Sequence, residues 1–160
     1  MSAISDFEAS IPKKIKSASM GDIPALEMKA LLRMVVLGPS QRKGKNNLCM
    51  FILKHSPHVF AHLTIIALDQ VRHTPLSSNK PELVIIDDYS NDKLLQKNIF
   101  SHYYTHGRHF KLSTIFLSHS YFATDKMIRL NLEYVAILRA NSKRDLQMVM
   151  LFVDSVKAKI

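Results

Sequence analysis

Five short apolar runs, Arg33 to Leu37, His62 to Leu68, Leu83 to Asp87, Leu112 to Ser118 and Tyr134 to Leu138, alternate along the chain with segments of helical composition. Runs of this length without polar alternation are predicted to be strands buried on both faces, and such strands belong to parallel sheets whose crossovers are helices. Right-handed crossovers then give an α/β fold of three layers around a mainly parallel central sheet of about five strands. The first helix is read from Asn46 to Lys54, after Gly44. The second starts at the capping residues Ser90, Asn91 and Asp92, presents Leu95, Ile99 and Tyr103 to the sheet, and stops at a left-handed Gly107. Thr124 and Asp125 cap a short helix through Arg129, and Ser142 to Lys157 forms a terminal helix. Val71 to Lys80, holding Pro75, Ser77, Ser78 and Asn79, reads as a loop.

A chain of 160 residues with 47% hydrophobic content supports one domain with one core. That domain is taken as residues 23–160, and residues 1–22, mixed in Ser, Lys, Pro and Gly, read as a flexible arm. A single cysteine, Cys49, cannot make an internal disulfide, so an intracellular location is expected; cytoplasm, nucleus and viral factory are not distinguished. No run approaches the roughly 20 apolar residues of a membrane span, and no membrane partner is expected. A formal net charge of +9 favours polyanionic partners, because each cation that neutralises a phosphate releases a counterion, and nucleic acid is the natural candidate.

Two motifs give this frame chemistry. Leu83-Val84-Ile85-Ile86-Asp87-Asp88 is an apolar strand delivering adjacent carboxylates to its end, the arrangement that holds a nucleotide's magnesium. Upstream, Leu37-Gly38-Pro39-Ser40-Gln41-Arg42-Lys43-Gly44-Lys45-Asn46-Asn47 stands between a strand and a helix, where a phosphate-cradling loop must stand. Together they point to a P-loop nucleoside triphosphatase with a degenerate loop. Five residues separate Gly38 from Gly44 where four are usual, and Asn46 replaces the hydroxyl residue after the lysine. The extra residue can bulge away while Gly44 and Lys45 still open the helix, whose positive dipole end favours an anion. Asn46 is longer than serine, and magnesium tolerates displaced ligands poorly.

With Gly107-Arg108-His109, the run Leu112 to Phe122, and Ile128-Arg129-Leu130-Asn131 added, the chain from about Leu31 to Met150 resembles the FtsK/HerA superfamily. Within it, the genome-packaging ATPases of large DNA viruses and of Polinton/Maverick-type elements are most similar. The resemblance implies a RecA/FtsK-like P-loop fold that uses ATP and Mg2+. It implies that Gly38, Ser40, Gly44, Lys45, Asn46 and Asn47 hold the nucleotide, with Lys45 on the β and γ phosphates, and that Asn46 and Asp87 hold the metal. Asp88 would orient or deprotonate the attacking water. Arg108 would reach a neighbouring subunit's γ phosphate, and His119 would stand where the family usually has a glutamine sensor. A homo-oligomeric ring of six subunits gripping the backbone of double-stranded DNA would follow. Besides the loop and His119, the chain departs from the family in its short connection from Leu68 to Leu83 and in ending soon after the fifth strand, as expected of a decaying mobile-element gene or of a truncated product. Two functions stay open: a DNA-packaging-type ATPase coupling hydrolysis to DNA translocation with impaired activity, or a non-catalytic basic nucleotide- or DNA-binding remnant.

Each residue also has a plainer reading. Arg108 can serve as a helix C-terminal cation, and His119 as a polar strand end. Met127, Met148 and Met150 read as core filler, and Lys143 and Arg144 as a solvated face or a DNA contact. The histidine pairs are not read as a metal site, since thiolate partners and suitably spaced acids are missing. Nor is Ser118-His119-Ser120 a nucleophile pair, because neighbours on a strand point to opposite faces.

Overall fold

A computed structural model of the chain describes residues 23, 26–39, 44–56, 59–67, 81–87, 89, 91–140 and 142–157. The flexible-arm expectation for residues 1–22, the 71–80 loop and the site residues Ser40 and Asp88 lie outside them. Among the described residues five strands, β1 (Arg33–Leu37), β2 (Leu63–Ile66), β3 (Glu82–Asp87), β4 (Leu112–Ser118) and β5 (Tyr134–Ile137), form one sheet in the order β2-β3-β4-β1-β5. Every pairing is parallel. The α/β expectation therefore holds. The helices are α1 (Gly44–Lys54), α2 (Lys93–Leu95), α3 (Ser101–His106), α4 (Lys126–Leu130) and α5 (Lys143–Lys157).

Alternation along each strand splits the core in two. Met34, Val36, Leu83, Ile85, Ile115 and Leu117 face the layer of α1, with Cys49 and Ile52. Val35, Leu37, Val84, Ile86 and Phe116 face the other layer, with Phe100, Tyr104, Ile128 and Val149. The crossover from β1 leads toward β2 and those from β3 and β4 lead the opposite way, so crossovers of one hand must put their helices on opposite faces. The two clusters show that they do.

Several expectations need correction. Strands β2 and β5 are sheet edges and are not buried on both faces: Leu63 and Ile65 are exposed, as is Ile137. Met127 and Met150 are exposed rather than core filler, and only Met148 packs on the core. The first helix begins at Gly44, two residues before the predicted start at Asn46. The α-helix ends at His106 with Gly107 as its cap, as expected, but Gly107 is right-handed, with φ −54°, and not left-handed. A 3-10 turn, Gly107–Phe110, extends it, and Lys111 takes the left-handed conformation at φ 53°. The glycine lets Leu112 approach, whose Cβ would lie 3.4 Å from an added methyl.

The stripe on that helix also shifts by one residue. Leu95, Ile99 and Tyr103 are half-buried at the flank, whereas Gln96, Phe100 and Tyr104 are fully buried. A four-residue repeat drifts around an ordinary helix, and the π turn at Gln96–Phe100 is where the drift is absorbed. Asp92 caps the start, its carboxylate accepting from Leu95 N at 2.9 Å.

Candidate functional site

In open parallel sheets a ligand crevice forms at the carboxyl ends of two adjacent strands whose crossovers leave for opposite faces. Here those strands are β1 and β4. Their ends are tied together, Gly38 N donating to Ser118 O at 3.1 Å, so the predicted phosphate loop and His119 emerge side by side. Asp87 closes β3 in register with Leu117, which pairs with Val36. Two strand spacings, about 10 Å, separate Asp87 from β1. Gly38, Gly44, Lys45, Asp87 and His119 thus share one edge of the sheet.

Both glycines sit where an added side chain would be crowded. A Cβ on Gly38 would stand 3.3 Å from Lys45 Cγ and 3.5 Å from Leu138 Cβ, and one on Gly44 would stand 3.2 Å from Leu138 Cδ1. Leu138, which follows β5, therefore walls the loop, a role the sequence reading missed. Lys45 is only 8% exposed, and its ammonium donates to Gly38 O at 3.2 Å. Among the described residues it makes no ion pair. A buried cation satisfied by one neutral carbonyl is poorly compensated, and an anion at the loop would compensate it. Asn46 and Asn47 are exposed in the first turn of α1, whose amide N–H groups have no acceptor within the helix. These residues fit a magnesium nucleotide.

Cys49 lies one helical turn beyond Lys45 and reports on Asp87. Burial, with the Asp87 carboxylate adding to it, pushes the thiol up to about 12 from an ordinary 9.0. The thiolate is the reactive form, so at pH 8 the folded chain should react with iodoacetamide roughly 10³-fold more slowly than the urea-unfolded chain. Equal rates would put Cys49 in solvent. Because the unfolded thiol ionises first, this group's contribution to stability is intact below pH 9 and is lost as pH rises toward 12.

Beyond His119 the chain makes a turn held by a buried acid that the reading also missed. The carboxylate of Asp145, on α5, accepts from Ser120 Oγ at 2.8 Å and Phe122 N at 2.9 Å, while Ser142 Oγ accepts from Asp145 N at 3.1 Å. Ser142-x-x-Asp145 is a variant of the capping box, a signal that was legible.

Arg108 is not with the others. It sits at the opposite, amino edge of the sheet, about one strand length away, roughly 15 Å. There it pairs with Glu133, which also receives Arg33 at 3.4 Å. Arg33 is fixed in turn to Tyr104 O at 3.0 Å. The Arg108 side chain is 52% exposed, so within its own chain it faces solvent and Glu133 rather than the loop.

A family model described as Poxvirus A32 protein matches residues 62–159. The chain belongs to the poxvirus A32 protein family. That is a family of FtsK-like viral genome-packaging ATPases. The stretch matched to the poxvirus A32 family holds Asp87, Asp88, Arg108 and His119, while Gly38 and Gly44 to Asn47 precede it. No curated protein and no solved structure matches the chain. No helix among the described residues is long and apolar enough to cross a membrane.

Proposed function

We propose that this chain is an ATPase of the viral DNA-packaging kind, binding Mg–ATP at the crevice between β1 and β4 and coupling hydrolysis to movement of double-stranded DNA. The observation that carries this reading is the buried ammonium of Lys45, held on Gly38 O at the crevice where Asp87 and His119 also end. Membership of a packaging ATPase family supports it. On this reading residues 23–160 act as one domain, inside the cell.

Lys45 exchanges its carbonyl partner for β and γ phosphate oxygens, and the amide groups of Gly44 to Asn47 face the same anion from the helix end. Gly38 and Gly44 keep the backbone close, with Ser40 completing the loop. Asn46 and Asp87 would hold the magnesium, which would supply positive charge to neutralise the phosphate oxygens. Asp88 orients or deprotonates the attacking water, and His119, fixed to β1 through Ser118, senses the γ phosphate. Arg108 acts on a neighbouring subunit's nucleotide in a six-membered ring. A finger of this kind is worth roughly 10³ to 10⁵ in rate in related chemistry. The exposed Arg108 guanidinium suits that task. Basic side chains lining the ring grip DNA phosphates without reading bases.

The longer loop and Asn46 favour a second reading, a nucleotide- or DNA-binding remnant that does not hydrolyse. Removing Gln41 together with Asn46→Ser decides between them. If the rest of the site is sound, DNA-stimulated hydrolysis rises on the order of a hundredfold, the usual cost of an ångström-scale misplacement. Unchanged hydrolysis with retained Mg–ATP binding would leave the remnant.

A further inference from the structure

Gln96 is fully buried in the π turn of the second helix, at 0% exposure, and spans two segments that leave the carboxyl edge. Its Nε2 donates to Tyr89 O at 2.8 Å, two residues beyond the end of β3. Its Oε1 accepts from Asp125 N at 2.7 Å, at the end of the turn that starts at His119. Each of those segments is anchored independently. Tyr89 O also accepts from Asp92 N at 3.1 Å, and Tyr89 Oη donates to Ala67 O at 3.0 Å. Asp125 caps α4 through Met127 N at 2.8 Å, and Asp145 holds Ser120 and Phe122. A second tie runs parallel to the first, from Lys93 Nζ to Ala123 O. A π turn places one extra residue in a helix and so re-aims a side chain, and such turns gather at functional sites.

We propose that Gln96 is a positioning residue that locks the acidic turn after β3 to the turn after β4, so that Asp87 and His119 move as one unit. This rests on the nucleotide reading for its purpose, though the link itself does not need a nucleotide. An amide is the side chain suited to the position, because one group must be donated and another accepted at the two ends. Leucine does neither. A glutamate accepts from Asp125 N at any pH but donates to Tyr89 O only when protonated.

The link is tested by amide hydrogen exchange on the full chain. Asp125→Ala disturbs the far turn, and in the native background it should raise exchange at the amides of Tyr89 to Asp92 by about fivefold, the equivalent of one weakened buried hydrogen bond. In a Gln96→Leu background the same substitution should raise exchange at those amides by clearly less, because only the Lys93 tie remains. An equal rise in both backgrounds overturns the proposal. Should Gln96→Leu fail to fold, Gln96→Glu replaces it: the melting-temperature deficit against the parent chain should shrink between pH 8 and pH 5, and a deficit independent of pH overturns the proposal as well. With Mg–ATP added, the parent chain should gain protection at both turns and Gln96→Glu at pH 8 at only one. If the parent gains none, the nucleotide reading fails, and the exchange comparison without nucleotide still decides the link.

Discussion

Lys45→Ala should abolish the rise in melting temperature that Mg–ATP gives the unaltered chain. A ligand at a hundred times its Kd stabilises the folded state by about 2.7 kcal/mol, and the substitution is expected to remove essentially all of it. The reason lies in the compensation of charge. Among the described residues Lys45 is buried against one neutral carbonyl, so a triphosphate would satisfy it, and without the ammonium the start of α1 offers an anion its backbone amides but no buried charge. Without nucleotide the variant should lose little, about 1 kcal/mol, since one hydrogen bond and the packing of the stem are given up. Lys45→Arg should not restore binding, because a planar guanidinium fork does not reproduce the compact ammonium that sits against Gly38 O.

The largest effect on stability is expected at Phe100. Its ring is fully buried beneath the sheet, edge-on to Tyr89 at 5.0 Å and 6.2 Å from Phe116. Truncation to alanine should cost about 3–5 kcal/mol, read from the midpoint of a urea transition. The loss should extend to the site, because Tyr89 belongs to the turn that follows Asp87. A cost below about 1 kcal/mol would mean that the helix does not pack as described.

The strands were legible because each is a compact apolar run, and the phosphate loop and acidic strand because their chemistry needs particular residues at fixed places. Sheet order was not legible: that β4 separates β1 from β3 depends on long-range pairing, which no local pattern encodes. The same limit hid the exposed faces of β2 and β5, since a strand's composition does not say whether it lies at an edge. The π turn escaped because a four-residue spacing of Leu95, Ile99 and Tyr103 fits a plain helix as well. The handedness of Gly107 misled because glycine serves close backbone approach as well as left-handed backbone. Glu133, the partner of Arg108, comes 25 residues later and has no motif to mark it.

A nucleotide bound in the crevice between β1 and β4 would perturb the amides of that edge first, and chemical-shift mapping of the isotope-labelled chain during titration with Mg–ATP reads them one by one. The largest shifts are predicted at Gly38, Gly44 to Asn47, Asp87 and His119, with the amino edge around Arg33 and Glu133 unmoved. Shifts confined to that amino edge, or none at saturating Mg–ATP, would contradict the account.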